Sequence, residues 1–170
     1  MAHNPDITIV PLEYDMIPQA KALVARVFKH QDLTERLSFW VYKHRDKSLM
    51  KTVLKMFGSM AVYQYWVALN QHREICGTTG LYSEKADLHE ALWLSWFCVH
   101  PDMRGQGIGK QLIEFSIEEA RRRNAKYLRL YTSDDPNEAA AQFLYEQYGF
   151  KITRTEKKLT HTIIYRERLL

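Results

Sequence analysis

The residues best suited to chemistry lie in one short segment, residues 104–110, where Gly105, Gly107 and Gly109 alternate with larger side chains. Glycines leave a loop without Cβ atoms, so backbone N–H groups can approach a ligand closely. A helical pattern follows the segment, so the positive end of a helix dipole would point into the loop. Such a place binds phosphate, and Arg104 and Lys110 would add positive charge. We therefore predict a phosphate-binding loop here.

Two common phosphate-binding motifs do not fit the spacing. A P-loop has four residues between its glycines and a hydroxyl residue after the lysine, whereas three residues separate Gly105 from Gly109 and Gln111 follows Lys110. The dinucleotide fingerprint has the form G-x-G-x-x-G at the first strand of a βαβ unit, with a later acidic residue. Here the glycines alternate, they lie late in the chain, and no acidic residue follows at the required distance. A simple tight turn would need fewer glycines and no flanking arginine.

Strand and helix patterns alternate around this loop and would position it. Residues 91–99 before it are apolar on both faces, which is typical of a central, buried strand. The helical zone 33–57 has a break near Arg45 and Asp46, and Gly149 would end a later helix. Strands are expected at 7–10, 62–69, 74–82, 91–99, 127–132, 151–158 and 160–168, and helices at 16–30, 33–57, 110–124 and 138–148. This order predicts a mixed α/β layer fold.

Composition limits the classes of function. The 170 residues suit one domain, 1–170, and a net charge of +4 is dispersed along the chain. No stripe of basic and aromatic residues indicates nucleic-acid binding, and no apolar run approaches the ~20 residues of a membrane span. The start of the chain lacks the features of a secretory signal, and Cys76 and Cys98 lie in apolar runs typical of reduced core residues. We expect a cytoplasmic protein that binds neither nucleic acid nor membrane.

The glycine segment resembles the most specific motif of the GNAT superfamily of N-acetyltransferases. That motif reads Q/R-x-x-G-x-G/A after a strand that ends in V-x-P. Arg104, Gly107 and Gly109 match the motif, and Val99 and Pro101 match the lead-in. The match therefore extends from the end of the predicted central strand to the start of the following helix.

A second segment, residues 139–150, is similar to the A-x-x-x-F/L-Y-E-x-x-G-F helix of the same superfamily. The two motifs follow the family's order, with a strand between them, and the resemblance is close over residues 93–158. The amino-terminal third matches only in the order of its elements. The resemblance implies a GNAT-type α/β (α+β) fold, in which a mixed, mainly antiparallel sheet of about seven strands is flanked by about four helices and splayed between its central strands.

The resemblance also implies acetyl-CoA as co-substrate and no metal. The pantetheine arm would pair with the strand before the loop, and the pyrophosphate would lie on the loop amides. Asn137 is the nearest match to a family asparagine that touches pantetheine; some members have it one position later, at Glu138 here, and an N-cap role is the alternative. Carried onto this chain, the cofactor-binding residues are Phe97, Cys98, Val99, Arg104, Gly105, Gln106, Gly107, Ile108, Gly109, Lys110, Asn137 and Tyr145.

The chemistry implied by the resemblance is direct attack of an amine on the thioester through a tetrahedral intermediate, which backbone N–H groups of the splayed strand would stabilise. Tyr145 matches the family's proton donor to the leaving thiolate, and its alternative is simple aromatic packing. Some members place a glutamate base on the central strand, where this chain has Trp93. A water chain, His89, Glu90 or Tyr131 would then accept the proton.

The acceptor is predicted from the alternation of the central strand. Trp93, Ser95 and Phe97 would share one face, and the other face would carry Leu92, Leu94, Trp96 and Cys98. If the first face borders the acceptor cleft, the acceptor is an amine with an apolar or aromatic part. The polar loop with Glu84, Asp87, His89 and Glu90 would attract a cation. Sheet packing and loop solvation are the alternatives.

Transfer to a small-molecule amine is the first expectation for this chain. Transfer to a protein N-terminus or lysine, and a non-catalytic acyl-CoA sensor, stay open as alternatives. Loss of the glycines or of Tyr145 would favour a sensor, and both are present. An acyl-enzyme on Cys98 is disfavoured because a cysteine in an apolar strand is usually inert. Dimers are common in the superfamily, so the resemblance is also compatible with a homodimer.

Overall fold

A computed structural model of the protein describes residues 6–28, 31, 33–56 and 63–170. The described helices are α1 (Ile17–Val27), α2 (Leu33–His44), α3 (Ser48–Met56), α4 (Ile108–Arg122) and α5 (Ala139–Gln147). The described strands are β1 (Thr8–Pro11), β2 (Tyr63–Leu69), β3 (Ile75–Tyr82), β4 (Ala91–Val99), β5 (Tyr127–Ser133), β6 (Lys151–Lys157) and β7 (Thr162–Leu169). No helix among these combines the length and apolar character needed to cross a bilayer.

The element order agrees with the expectation from the sequence, and the helical zone 33–57 is divided near Arg45 and Asp46 as predicted, into α2 and α3. The predicted ends at His30, Phe57 and Val62 lie outside the described residues. Helix α4 begins at Ile108, two residues earlier than predicted, because the chain enters the helix directly from Gly107.

The strands form a seven-stranded sheet in the order β1-β2-β3-β4-β5-β7-β6. Every neighbouring pair is antiparallel except β4 and β5, which are parallel. The parallel pairing covers only Ala91–Trp93 against Tyr127–Arg129. Beyond Trp93 the two strands are no longer in register, so the mainly antiparallel sheet is splayed between its central strands, as the resemblance implied.

Two apolar cores cover opposite faces of the sheet. Alternate β2 residues show this, because Trp66 belongs to the core under α4 and α5 whereas Tyr65 and Val67 belong to the core under α1 and α2. Both cysteines are free and buried, with Cys76 in the α4 core and Cys98 in the α1 core. Each face of the splayed region therefore has its own set of helices.

A β-bulge in β4 corrects the predicted alternation of the central strand. Thr78 pairs with Cys98 and Gly80 with Ser95, so Trp96 and Phe97 together face one β3 residue, and Trp96 takes a left-handed φ of 46°. A bulge reverses the facing of every residue after it. Phe97 consequently lies with Leu92 and Leu94 in the α4 core, while Trp96 and Cys98 lie on the opposite face with Trp93 and Ser95. The prediction that Phe97 shares a face with Trp93 is wrong.

Candidate active site

The glycine loop connects the end of β4 to the start of α4. A single 3-10 turn at Pro101–Met103 redirects the chain after the strand. Gly105 and Gly107 then adopt φ values of 77° and 84°, a left-handed region that side chains with a Cβ atom enter at a cost of roughly 1–2 kcal/mol. Gly107 occupies the N-cap position of α4, and no side chain in the described part of the chain caps that helix end. The first amides of α4 therefore remain available to an anion, since a helix N-terminus has N–H groups without partners inside the helix.

A cleft that is partly open to solvent lies beside this loop. Of the twelve residues carried over for cofactor binding, ten line the cleft: Phe97, Cys98, Val99, Arg104, Gly105, Gly107, Ile108, Gly109, Asn137 and Tyr145. The other two, Gln106 and Lys110, have exposed side chains and do not line it. That these residues bind a cofactor stays a prediction.

The cleft lies at the carboxyl end of β4, between the glycine loop and α5. Val27 and Cys98 on its wall belong to the α1 core, whereas Ile108 and Tyr145 belong to the α4 core on the other face. The wall therefore has residues from both faces of the sheet. A molecule lying in the cleft would have one end against the glycine loop and could extend to the opposite face of the sheet.

Both candidates for the residue before α5, Asn137 and Glu138, line the cleft but differ in their bonding. The Asn137 side chain donates to Asp135 Oδ1 at 2.8 Å and is exposed. The Glu138 carboxylate accepts hydrogen bonds from the Ser133 amide at 3.0 Å and from the Thr132 hydroxyl at 2.6 Å. Asp135, rather than Asn137, caps the turn at Pro136–Glu138, since its side chain accepts from the Asn137 amide.

Tyr145 lies on α5 with 5% of its surface exposed and lines the cleft. Its ring packs against Phe97 and Phe150, with ring centroids 5.7 Å and 5.8 Å away. Burial raises the pKa of the Tyr145 phenol above its ordinary value, and the negative charge of Glu138 raises this pKa further. A raised pKa keeps the phenol protonated through the physiological range, as a proton donor must be before it acts.

Cys98 lies on the same wall but lacks the features of a nucleophile. Its sulfur is 3.3 Å from the Thr78 hydroxyl, and among the residues that the structure describes no histidine or lysine lines the cleft with it. Burial raises the pKa of the Cys98 thiol to about 11. Activated cysteines have a lowered pKa, because the thiolate is the reactive form. These surroundings argue against an acyl-enzyme intermediate on Cys98.

A cluster around Arg129 lies where the gap begins, and no motif or spacing in the sequence indicates it. Arg129 donates to Asp87 Oδ2 and to Glu167 Oε2, each at 2.6 Å, and lies 3.4 Å from Glu90 Oε2. The indole N–H of Trp93 also donates to Asp87 Oδ2, at 2.9 Å. Two of the loop carboxylates expected to attract a cation, Asp87 and Glu90, are therefore bonded to a cation of this chain itself.

The three side chains proposed as proton acceptors, and Trp93 at the position of the family glutamate, differ in their surroundings. The Trp93 indole donates to Asp87, and Glu90 is in ion pairs with Arg129 and Lys126. Tyr131 is 42% exposed and its ring lies 6.2 Å from that of Tyr165. His89 is exposed on the loop before β4. None of these four side chains lines the cleft, so a water chain stays the simplest path for the proton.

Glu84 and Tyr82 form a second acidic and aromatic feature close to Trp93. The rings of Tyr82 and Trp93 are cross-strand neighbours with centroids 6.3 Å apart. Burial and the nearby charge of Asp87 raise the pKa of the Glu84 carboxyl, and its interaction with the Tyr82 hydroxyl lowers it in part. These residues face the side of the sheet that carries Ser95, Trp96 and Cys98.

The fit of the cleft to acetyl-CoA can be judged from its shape and lining. A Cβ at Gly105 would meet no atom within 4 Å, so no other part of the described chain covers this point of the loop. Past Trp93, β4 has no strand partner on its β5 side, and an extended arm could run along that edge. In the described residues no three His, Cys, Asp or Glu side chains gather as metal ligands do. The residues present fit a pyrophosphate at the loop and an extended arm along β4.

Comparisons with known proteins agree with this geometry. Residues 61–152 match the family described as an acetyltransferase (GNAT) domain. A curated relative from Xenopus tropicalis, named "Probable N-acetyltransferase 14", is 29% identical over 106 residues, which are 62% of this chain and 50% of that protein. The chain thus spans about half the length of this relative.

Solved structures share the whole fold. A GNAT family acetyltransferase from Elizabethkingia anophelis with acetyl-CoA bound has a TM-score of 0.68 at 21% identity, covering 97% of this chain and 99% of that one. The ribosomal-protein-S18-alanine N-acetyltransferase from Escherichia coli has a TM-score of 0.68 at 20% identity, covering 96% and 93%. The family match covers more than half of the residues, so this chain belongs to the GNAT family of acetyltransferases.

Proposed function

We propose that this chain transfers an acetyl group from acetyl-CoA to a primary amine of a small molecule that has an apolar or aromatic part. The proposal rests mainly on the cleft at the carboxyl end of β4, on the part of that strand that no longer pairs with β5. The glycine loop lies at one end of it, and the buried phenol of Tyr145 lies on its wall. Phosphate-binding amides and a proton donor on one cleft are what acetyl transfer from a CoA thioester requires.

Acetyl-CoA supplies the activated acetyl group, and the residues of this chain hold it and manage the protons. The amides of residues 105–110 hold the pyrophosphate, and the free β4 edge at Phe97, Cys98 and Val99 orients the pantetheine arm. A neutral amine attacks the thioester carbonyl, so that a C–N bond forms and the C–S bond breaks. Tyr145 donates its proton to the departing sulfur, the proton lost from the amine passes to water, and the Tyr145 phenolate takes up a proton from water to complete the cycle.

The acceptor class is inferred from the face of the sheet opposite α4 and α5. Tyr82 and Trp93 present aromatic surface there, at the point where β4 leaves β5. Aromatic faces and nearby carboxylates attract organic cations, including protonated amines. The Glu84 carboxylate beside Tyr82 adds negative charge at this place. An amine with an aromatic or apolar group is the acceptor that this surface favours.

A peptide amine is the second candidate. The Escherichia coli neighbour, which shares the fold over 96% of this chain, is named for acetylation of an alanine of ribosomal protein S18. At 20% identity that likeness concerns the fold, so it motivates a second arm of the test rather than a choice of substrate.

Thiol release from acetyl-CoA tests the proposal directly. The purified chain is incubated with acetyl-CoA and a panel that contains aromatic monoamines, polar polyamines, and peptides with free N-termini or lysines. Amine-dependent thiol release that is greatest with the aromatic amines is the expected result. Release only with small, fully polar amines would overturn the acceptor class, and release only with peptides would favour the second candidate. No release with any amine, despite tight acetyl-CoA binding, would indicate a sensor.

A further inference from the structure

The free edge of β5 at the gap is covered by side chains of α5. The Asp134 amide donates to Thr162 O at 3.1 Å, and the Leu170 amide donates to Lys126 O at 3.0 Å, so even-numbered β5 residues bond toward β7. Odd-numbered residues therefore turn their N–H and C=O groups toward β4. Tyr127 and Arg129 are in register with β4, but Ser133 lies in the splayed part. Its N–H and C=O groups need other partners.

Glu138 and Gln142 supply those partners. The Ser133 amide donates to Glu138 Oε2 at 3.0 Å, and Gln142 Nε2 donates to Ser133 O at 2.8 Å. The hydroxyl groups of Ser133 and Thr132 also donate to the Glu138 carboxylate, each at 2.6 Å. Both backbone groups of Ser133 are thus bonded to α5, where an unsplayed sheet would bond them to β4.

Arg166 of β7 fixes the orientation of the Gln142 side-chain amide. Its Nε donates to Gln142 Oε1 at 3.0 Å, and its guanidinium also donates to Phe150 O at 3.2 Å and Glu146 Oε1 at 2.9 Å. Because a guanidinium can only donate, the amide oxygen of Gln142 must face Arg166 and its nitrogen must face Ser133. Arg166 is only 4% exposed, so this arrangement is built into the core.

This chain of bonds ends at the cleft. Glu138 lines the cleft, and Tyr145 lies one helical turn after Gln142 on α5. The charges of Glu138 and Arg166 both act on the Tyr145 phenol, with opposite signs. A displacement of α5 relative to β5 would therefore move the phenol relative to the gap.

We propose that Glu138, Gln142 and Arg166 are positioning residues that bind α5 to the free β5 edge, hold the gap open and set the place of the Tyr145 hydroxyl. The role of these residues in catalysis rests on the proposed function. The protection of the Ser133 amide by Glu138 does not depend on any reaction.

The test uses the full chain and pairs steric with conservative variants. Glu138→Ala removes the carboxylate, whereas Glu138→Gln keeps an oxygen for the Ser133 amide. Gln142→Glu keeps the bond to Arg166 but places an oxygen against Ser133 O. Glu118→Ala, on the exposed face of α4, is the matched control. For each variant, kcat and the KM for acetyl-CoA are measured, together with hydrogen exchange of the Ser133 amide in the free protein.

The proposal predicts a selective loss of turnover. Glu138→Ala and Gln142→Glu should lower kcat by about tenfold to a hundredfold with little change in KM, because small misplacements of a catalytic group cost that much. Glu138→Gln should restore kcat to within about threefold of wild type, and exchange of the Ser133 amide should accelerate in Glu138→Ala but not in Glu118→Ala.

Two results would overturn the proposal: unchanged Ser133 exchange in Glu138→Ala, or equal losses of kcat in Glu138→Ala and Glu138→Gln. If wild type turns over no amine, the proposed function fails instead, and Ser133 exchange alone then decides whether Glu138 protects the free edge.

Discussion

The two walls of the gap between β4 and β5 are built from different groups. The β4 wall continues into a loop whose features are backbone ones, with left-handed glycines at 105 and 107 and an uncapped start of α4. The β5 wall is made of side chains, with Arg129 bonded to Asp87 and Glu167 at one end and Ser133 bonded to Glu138 at the other. The first wall offers backbone groups to a ligand, whereas the groups of the second wall are bonded to one another.

The largest loss of kcat is expected on removal of the Tyr145 hydroxyl, the proposed proton donor on the cleft wall. Tyr145→Phe should lower kcat by about a hundredfold or more, with little change in the KM for acetyl-CoA. The substitution removes the hydroxyl that donates the proton and leaves the ring packing intact. Steady-state kinetics with the best amine of the panel measure this loss. Tyr148→Phe is the control, since that hydroxyl bonds Glu114 at 2.6 Å and does not line the cleft.

A pH profile extends this test. Burial raises the pKa of Tyr145, so its phenol should stay protonated as the pH increases, and kcat should not fall from this group up to about pH 10. A wild-type profile that loses activity above about pH 8, with the loss absent from the residual activity of Tyr145→Phe, would contradict the role of a donor with a raised pKa.

The next effect tests the backbone wall. Gly107→Ala should weaken acetyl-CoA binding by about tenfold, because its φ of 84° is strained for alanine and the added Cβ stands at the loop. Gly149→Ala carries similar strain at a φ of 76° but lies at the end of α5, with no atom within 4 Å of its new Cβ. Titration calorimetry should show weaker binding in the first variant alone. Equal binding in both variants would mean that the loop amides are not the phosphate site.

Substitutions in the side-chain wall should lower the free energy of unfolding more than they change acetyl-CoA binding. Asp87→Asn keeps the shape but removes the charge that Arg129 and Trp93 contact, and we expect a loss of about 1 kcal/mol in the free energy of unfolding, since Glu167 still holds Arg129. Glu90→Gln weakens the longer contact to Arg129. Because the Glu90 side chain is 45% exposed, this loss should cost less than about 0.5 kcal/mol in the free energy of unfolding. Urea unfolding compares them. A larger loss in Glu90→Gln would reverse the ranking of these two contacts.

The smallest effect is expected at Cys98. Cys98→Ala should retain kcat within about threefold, because the thiol, with its pKa raised to about 11, is protonated at neutral pH. Alkylation of Cys98 by iodoacetamide should accelerate as the pH increases toward that value and should slow when acetyl-CoA is present. Loss of nearly all turnover in Cys98→Ala would revive the acyl-enzyme.

The two walls also differ in how far they can be predicted from sequence. The glycine loop is predictable because its spacing is local and its φ requirements exclude most residues. The Arg129 cluster is not, because its partners Asp87 and Glu167 lie 42 and 38 residues away. An arginine at an alternating strand position gives no sign of which carboxylates it will contact.

The bulge at Trp96 could not be predicted from the sequence of its own strand either. Alternation predicts facing only while the ladder is regular, and one extra residue moves Phe97 to the opposite face. Residues 137 and 138 show the same limit, because the sequence names Asn137 as the nearest match to the family asparagine and Glu138 only as an alternative position. Only the bonds of Glu138 to Thr132 and Ser133 show which of them is fixed to β5.

A crystal structure of the chain with CoA would show directly whether the gap holds the cofactor. We expect the pantetheine arm to lie in the gap along Phe97, Cys98 and Val99, with the pyrophosphate on the amides of residues 105–110 and the sulfur within reach of the Tyr145 hydroxyl. CoA bound elsewhere, with the gap closed or empty, would contradict it.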